Sequence, residues 1–126
     1  MKCSESAIQS MLPSNARVVS VERLSQGGTF EVPESNIAYP VSPTGLRSNC
    51  AVHVNVTSSD SSAFGFGMFL PDEWNERSLS VGNGGFAGGV NWLDMVGSSY
   101  LLCRFDVLAN VRAGRWLRVW LCCHVD

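Results

Sequence analysis

A glycine-rich segment at residues 81–90 constrains the fold more than any other part of the chain. It reads Val-Gly-Asn-Gly-Gly-Phe-Ala-Gly-Gly-Val, with five glycines in eight consecutive residues. Glycine loses more backbone freedom on ordering than any other residue, so this density excludes a regular strand or helix. Residues 77–81 alternate in polarity and predict a strand, whereas residues 91–96 are typical of the start of a helix. The sequence therefore predicts a strand, a glycine-rich loop and a helix in succession.

The first part of the chain is predicted to contain one short helix and one strand. The helix would span residues 3–11, with Ser4 as its N-cap. The strand would span residues 15–25, in which hydrophobic and polar residues alternate. This alternation places two pairs of side chains on opposite faces, Val19 and Val21 on one and Val18 and Ser20 on the other.

Two further strands are predicted after a connection rich in proline. Residues 31–49 hold Pro33, Pro40 and Pro43 and predict an irregular path. Residues 50–56 alternate without interruption and predict a strand whose valines share one face, namely Val52, Val54 and Val56. Residues 63–70 predict the next strand, in which Gly65 and Gly67 indicate a bulge or a close approach of the backbone to a neighbour.

Length and composition exclude several classes of protein. A chain of 126 residues suits one domain, and 45% hydrophobic residues are enough to build a core. No run approaches the roughly 18 apolar residues of a membrane span, and the first residues lack the apolar segment of a secretory signal. The net charge of −2 offers no electrostatic footprint for nucleic acid. We therefore expect neither a membrane nor a nucleic acid as partner.

Five cysteines and one glycosylation sequon leave the cellular compartment open. Cys3 and Cys50 stand apart in sequence from the other three cysteines. One interpretation is five buried thiols in a cytosolic protein, and the other is a Cys3–Cys50 bridge in a secreted chain. The sequon Asn55-Val56-Thr57 lies in a predicted strand and favours secretion if it is used.

The glycine-rich loop has two functional interpretations and one structural interpretation. Residues 82–87 match the dinucleotide pattern G-x-G-x-x-G/A, and Asp106 follows Gly82 by 24 residues, about where a ribose-binding acid would fall. Against this, the alternating residues 77–81 differ from the continuously apolar strands of a parallel sheet. Alternatively, the loop supplies backbone N–H groups to an oxyanion hole, as in α/β-hydrolases. The remaining interpretation is a turn without a chemical role.

No complete catalytic or metal-binding set is recognisable. A serine hydrolase needs a nucleophile, a base and an acid, and the chain has no G-x-S-x-G segment. His53 is expected to be a solvated or hydrogen-bonded strand residue, and His124 lies three residues from the C-terminal end. The run Cys122-Cys123-His124 lacks the four spaced ligands of a zinc site. We therefore expect no catalytic residue and no metal site in this chain.

Two segments together resemble the tannase and feruloyl esterase family. The first, residues 68–77, reads Met-Phe-Leu-Pro-Asp-Glu-Trp-Asn-Glu-Arg, and the second is the Gly-Asn-Gly-Gly-Phe-Ala-Gly-Gly loop. Upstream, Cys3, the Leu12-Pro13 pair and the run Asn49-Cys50-Ala51-Val52 are similar to that family's mature N-terminus. The resemblance covers about residues 3–96.

The resemblance implies an α/β fold, here the mainly β first part of an incomplete α/β-hydrolase of a secreted enzyme that cleaves hydroxycinnamoyl or galloyl esters. It implies that amides around Gly84 and Gly85 help to form an oxyanion hole and that Cys3 pairs with Cys50. The family's serine lies in a Cys-Ser-x-Gly-Gly elbow and its calcium ligands in a lid, and neither matches this sequence. Accordingly we expect the catalytic triad and the cofactor site to lie outside this chain.

The resemblance stops near residue 98, where the composition also changes. Residues 1–98 carry five basic and nine acidic side chains, whereas residues 99–126 carry four arginines and two aspartates. We therefore divide the chain into an α/β-hydrolase portion, residues 1–98, and a divergent tail, residues 99–126. A frameshift or a retained intron would explain the tail. The alternatives to an esterase fragment are a small dinucleotide-binding module and a non-catalytic secreted domain.

Overall fold

The computed structural model describes residues 2–73, 79–82, 88–99 and 106–111. Within these ranges the chain forms α1 (Glu5–Gln9), β1 (Ala16–Leu24), β2 (Asn49–Ser59), β3 (Ser62–Pro71), β4 (Leu79–Gly82), α2 (Trp92–Ser99) and β5 (Asp106–Val111). These strands form one sheet in the order β1-β2-β3-β5-β4. Neighbouring strands are antiparallel except β4 and β5, which run parallel. The parallel pair is joined through α2, because parallel strands need a crossover rather than a tight turn.

The alternation of β2 is confirmed. Val52 and Val54 are fully buried on one face, and Val56 packs against the same cluster. The strand pairs with β3 along its whole length, so that His53 lies opposite Gly67. The irregular path predicted after β1 is also confirmed, since residues 31–48 contain neither a helix nor a strand.

The predicted facing of β1 is wrong from Val19 onward. Val18 pairs with Val54, whereas Ser20 pairs with His53, the residue immediately before Val54 on β2. Val19 is therefore an extra residue in a β-bulge. The bulge shifts the alternation by one position. As a result Val18 and Val21 pack against the same buried cluster, while Val19 is 56% exposed.

Helix α1 and a disulfide bond cover one face of the sheet. Cys3 is bonded to Cys50, 47 residues away, which confirms the predicted pairing. Gln9 also joins the helix to β1, because its Nε2 donates to the carbonyl oxygen of Ala16 and its Oε1 accepts the N–H of Val18, both at 2.9 Å. The buried side chains of this face are Ile8, Ala16, Cys50, Val52, Val54 and Leu70.

The irregular connection and helix α2 cover the opposite face. The connection is fixed beside β1, where the N–H of Gly27 donates to the carbonyl oxygen of Leu46 at 2.7 Å and the N–H of Leu46 donates to that of Gly28 at 3.0 Å. Gly27 has a φ of +78°, which favours glycine at this turn. The buried side chains of this face are Leu24, Phe30, Leu46, Ala51, Phe69, Val90, Trp92, Met95 and Val96.

The disulfide should contribute strongly to stability, because it closes a loop of 47 residues. Loop-closure entropy gives about 4 kcal/mol for a loop of this length. We expect a reducing agent to lower the free energy of unfolding by about that amount, measured by urea denaturation with circular dichroism. The double variant Cys3→Ser/Cys50→Ser is the control and should unfold identically with and without the reducing agent. A reductant effect of equal size in that variant would contradict the prediction.

Candidate functional site

The glycine-rich loop leaves the sheet at the end of β4 and leads into α2. Gly82, the last residue of β4, pairs with Ala109 of β5, which pairs in turn with Phe66 of β3. The loop therefore begins level with the middle of β3, on the parallel side of the sheet. The predicted oxyanion-hole residues Gly84 and Gly85 lie outside the described residues.

Asn36, from the irregular connection, contacts the end of this loop. Its Nδ2 donates to the carbonyl oxygen of Val90 at 2.7 Å and to that of Tyr39 at 3.3 Å. Its Oδ1 is buried, and a Cβ atom added to Gly89 would overlap it. Gly88 and Gly89 have φ values of +68° and +83°, in the left-handed region. Glycine is therefore required at Gly89 both by the backbone conformation and by the contact with Asn36.

Helix α2 begins immediately after the loop with a side-chain cap. The Oδ1 of Asn91 accepts the N–H of Asp94 at 3.2 Å, and its Nδ2 donates to the Asp94 carboxylate at 2.7 Å. An asparagine in this position satisfies an N–H group that the helix itself cannot pair. The N–H of Trp92 also donates to the carbonyl oxygen of Val90 at 3.1 Å. The end of the loop and the first turn of α2 are thus fixed together.

Trp92 anchors the start of α2 against β3. Its side chain is 2% exposed and lies over Gly67, where a Cβ atom would overlap the indole ring. The ring centroids of Phe30 and Phe69 lie 4.4 Å and 5.3 Å from that of Trp92. The close approach predicted from the strand glycines is therefore confirmed at Gly67, and the neighbour is an aromatic side chain.

His53 occupies the same face of the sheet, beside Trp92. Its ring centroid is 6.4 Å from that of Trp92 in an edge-on arrangement, and a Cβ atom at Gly65 would lie 3.1 Å from its Nε2. Burial lowers the pKa of His53 from its ordinary value of 6.5, so the imidazole is neutral at pH 7. Within the described residues the contact of its ring is with Trp92, and no hydrogen bond joins it to a carboxylate or hydroxyl.

A second polar group lies where β1 and β3 end and β2 begins. Arg23 donates to both oxygens of Asp72, at 2.8 Å and 2.6 Å, and the hydroxyl of Ser48 donates to the same carboxylate at 2.5 Å. The Ser48 hydrogen bond and then the Arg23 pair lower the pKa of Asp72. An open cleft of about 430 Å³ adjoins this group and is lined by Gln26, Arg47, Ser48, Pro71, Asp72 and Glu73. The Asp72 carboxylate thus joins β1, through Arg23, to the end of β3.

Asp106 does not lie where the dinucleotide hypothesis needs it. It begins β5 and pairs with Leu79, the first residue of β4, whereas the loop starts at the opposite end of β4. The two ends of β4, Leu79 and Gly82, are three residue steps apart, which is about 10 Å. An acid that binds ribose would have to lie at the loop end, so this part of the hypothesis is wrong.

The remaining predicted site residues are Asn55 of the sequon and the cysteine and histidine residues at 122–124. Asn55 lies on β2 with an exposed side chain, and its glycosylation stays a prediction. Cys122, Cys123 and His124 lie outside the described residues. Where the structure describes the chain, no three histidine, cysteine or acidic side chains are grouped closely enough to hold a metal ion. The same part of the chain contains no helix long and apolar enough to span a membrane.

Sequence reasoning missed Asn36 and the anchoring role of Trp92. Asn36 lies 54 residues before Val90 in a segment without periodicity, so no local pattern connects the two. The pair Gly65 and Gly67 did signal that something approaches β3. It could not indicate that a residue 25 positions later fills the space at Gly67.

The fold of this chain resembles part of the fold of solved esterases. Over 85% of this chain, the structure matches an esterase from Aspergillus oryzae with a TM-score of 0.71 and 26% identity. Over 89% of this chain, it matches feruloyl esterase B from the same organism with a TM-score of 0.69 and 31% identity. The matches cover 21% and 22% of those chains. The described part is thus consistent with part of an α/β-hydrolase.

Curated relatives agree with this assignment. The chain is 49% identical over 47 residues to Probable feruloyl esterase B-1 of Aspergillus fumigatus and 30% identical over 95 residues to Probable feruloyl esterase B-2 of that organism. These alignments cover 37% and 75% of this chain, but only 9% and 18% of the relatives. No protein-family model matches the chain. The resemblance to the tannase and feruloyl esterase family is confirmed over this limited part of the relatives' length.

The lowered pKa of His53 predicts a loss of stability in weak acid. The unfolded chain binds a proton on this imidazole near pH 6.5, whereas the folded chain does so only at lower pH. The free energy of unfolding should therefore fall as the pH drops below about 6.5. Urea denaturation at several pH values should show a weaker pH dependence for His53→Gln. His124→Gln is the control, and an equal change in both variants would assign the effect elsewhere.

Proposed function

We propose that this chain is part of a secreted serine carboxylic ester hydrolase of the tannase and feruloyl esterase type, and that it contributes the oxyanion-hole loop. The observation that carries the proposal is the position of the Gly-Asn-Gly-Gly-Phe-Ala-Gly-Gly sequence between strand β4 and helix α2. In α/β-hydrolases one oxyanion-hole N–H group comes from the loop between a sheet strand and the helix that follows it. The sequence and structural likeness to feruloyl esterases supports the same assignment.

In the proposed enzyme, the amides around Gly84 and Gly85 act on the ester carbonyl. A serine oxygen attacks the carbonyl carbon while a histidine accepts the serine proton, and the carbonyl oxygen becomes an oxyanion. The loop amides donate hydrogen bonds to that oxyanion, and the alcohol leaves with the proton from the histidine. Water then cleaves the acyl-serine ester and releases the phenolic acid. The serine, the histidine and the acid that orients it are proposed to lie outside this chain, as are any calcium ligands.

Secretion and an ester of a hydroxycinnamic or gallic acid are part of the same proposal. The Cys3–Cys50 disulfide fits an oxidising compartment, because cytosolic thiols are kept reduced. An exposed Asn55 sequon is consistent with glycosylation in that compartment.

A chimera tests the contribution of the loop. Residues 3–96 of this chain would replace the corresponding segment of Aspergillus oryzae feruloyl esterase B, with release of ferulate from methyl ferulate as the assay. We expect an active chimera in which Gly85→Pro, which removes the N–H group, lowers kcat by about 10²–10³-fold. Gly85→Ala keeps the N–H group and is the matched control.

The isolated chain is the negative control and should release no ferulate above a buffer blank. The proposal fails if the intact chimera is folded but inactive, or if the proline and alanine variants have equal kcat. It fails also if the isolated chain hydrolyses the ester and loses that activity when Ser78, Ser80, Ser98 or Ser99 is replaced by alanine.

We also propose that residues 99–126 derive from a frameshift or a retained intron. The change in charge and cysteine content at the end of the family resemblance supports this origin. Sequencing the spliced transcript across the codons for residues 95–105 should reveal another frame or splice that restores the family sequence, including a Cys-Ser-x-Gly-Gly segment downstream. A transcript that encodes residues 99–126 in one frame with residues 1–98, with no such alternative, would overturn this origin.

A further inference from the structure

We propose that Asn36 is a positioning residue for the glycine-rich loop: it holds residues 88–90, where the loop ends, in a fixed place beside the sheet and so supports the oxyanion-hole function proposed for the loop. The inference rests on the proposed oxyanion-hole function. It assigns a role to the irregular connection, which neither the family resemblance nor the loop sequence identifies. Asn36 acts through the backbone of Val90 and Gly89 and does not itself contact substrate.

The orientation of the Asn36 amide follows from its partners. Both neighbours within hydrogen-bond distance of Nδ2, the main-chain oxygens of Val90 and Tyr39, are acceptors only. An acceptor needs a donor, so the nitrogen of the amide must point toward them and the oxygen toward Gly89. The contact at 2.7 Å with Val90 is the shorter of the two and crosses from the connection to the loop.

The buried Oδ1 atom makes the contact specific for this loop. Among the described residues it has no hydrogen-bond partner, and it lies where a side chain on Gly89 would otherwise be. The amide is thus closed in by the loop backbone on one side and held by two carbonyl oxygens on the other. The positive φ of Gly89 brings its backbone to this position.

The irregular connection is itself held by hydrogen bonds and packing, so it can keep the end of the loop in place. Its start and end are joined because the N–H of Phe30 donates to the carbonyl oxygen of Pro43 at 3.0 Å. The N–H of Asn36 donates to the carbonyl oxygen of Pro33 at 2.9 Å, which forms a turn around the asparagine. Phe30 is buried against Trp92, so the connection and the start of α2 share one core. Asn36 therefore joins the loop to a packed part of the molecule.

Hydrogen exchange on the full chain tests the contact without relying on catalysis. We expect Asn36→Ala to raise amide exchange across residues 88–92 by about tenfold, with residues 49–71 of β2 and β3 unchanged as the internal monitor of folding. Asn36→Asp keeps the shape of the side chain but removes both donors, so it should raise exchange at least as much. Asn15→Ala is the matched control, because Asn15 Nδ2 donates to the carbonyl oxygen of Thr57 at 3.0 Å, away from the loop.

The chimera supplies the readout that separates positioning from stability. There Asn36→Ala and Asn36→Asp should lower kcat by about tenfold or more with KM unchanged, because a displaced oxyanion donor is felt in the transition state. Asn15→Ala should change neither constant.

Three results would overturn the inference. These are unchanged exchange across residues 88–92 in both Asn36 variants, recovery of wild-type behaviour by the isosteric aspartate, and increased exchange without a change in kcat in an active chimera. If neither variant folds, Asn36 is a structural residue and the inference is also wrong. An inactive unmutated chimera would instead refute the proposed function, while the exchange result would still test the contact.

Discussion

The packing of Trp92 onto the backbone of Gly67 is the contact on which the rest of this structure depends. It sets the distance between α2 and β3, and it brings Phe30 and Phe69 into one aromatic cluster. Because Trp92 follows the glycine-rich loop by only two residues, the same contact fixes where that loop ends. Because an aromatic side chain of this size buries a large apolar area, Trp92 strongly stabilises the packing of α2 on β3. A side chain at Gly67 would push α2 away and move the loop with it.

Local pattern was sufficient for the strands but not for their irregularities. The uninterrupted valine alternation predicted β2 because one face of that strand is fully buried, which is the condition under which period two is visible in sequence. The bulge at Val19 was not predictable, since the extra residue is a valine like Val18 before it and only the pairing with β2 reveals it. Asn36 was missed for a related reason, because its partner Val90 is distant in sequence. The sequence pattern left the Cys3–Cys50 bond as one of two interpretations, and the family resemblance selected it, because such a resemblance carries long-range information that a local pattern lacks.

The two faces of the sheet are stabilised by different kinds of interaction. The α1 face is held by a covalent bond between Cys3 and Cys50, together with the hydrogen bonds of Gln9 to β1. The opposite face relies on aromatic packing and on the amide of Asn36. Residues 88–90, where the glycine-rich loop ends, lie on this second face beside Asn36.

The sheet order gives the chain a particular order of assembly. Strand β4 has β5 as its sheet neighbour, although β5 comes later in the chain, so β4 cannot be hydrogen-bonded into the sheet until residues 106–111 have been synthesised. The hairpin of β2 and β3 has no such dependence and can form as soon as it leaves the ribosome. Contacts between distant segments form slowly because the intervening chain must be ordered first. The start of the glycine-rich loop is therefore among the last parts of this sheet to gain a fixed position during synthesis.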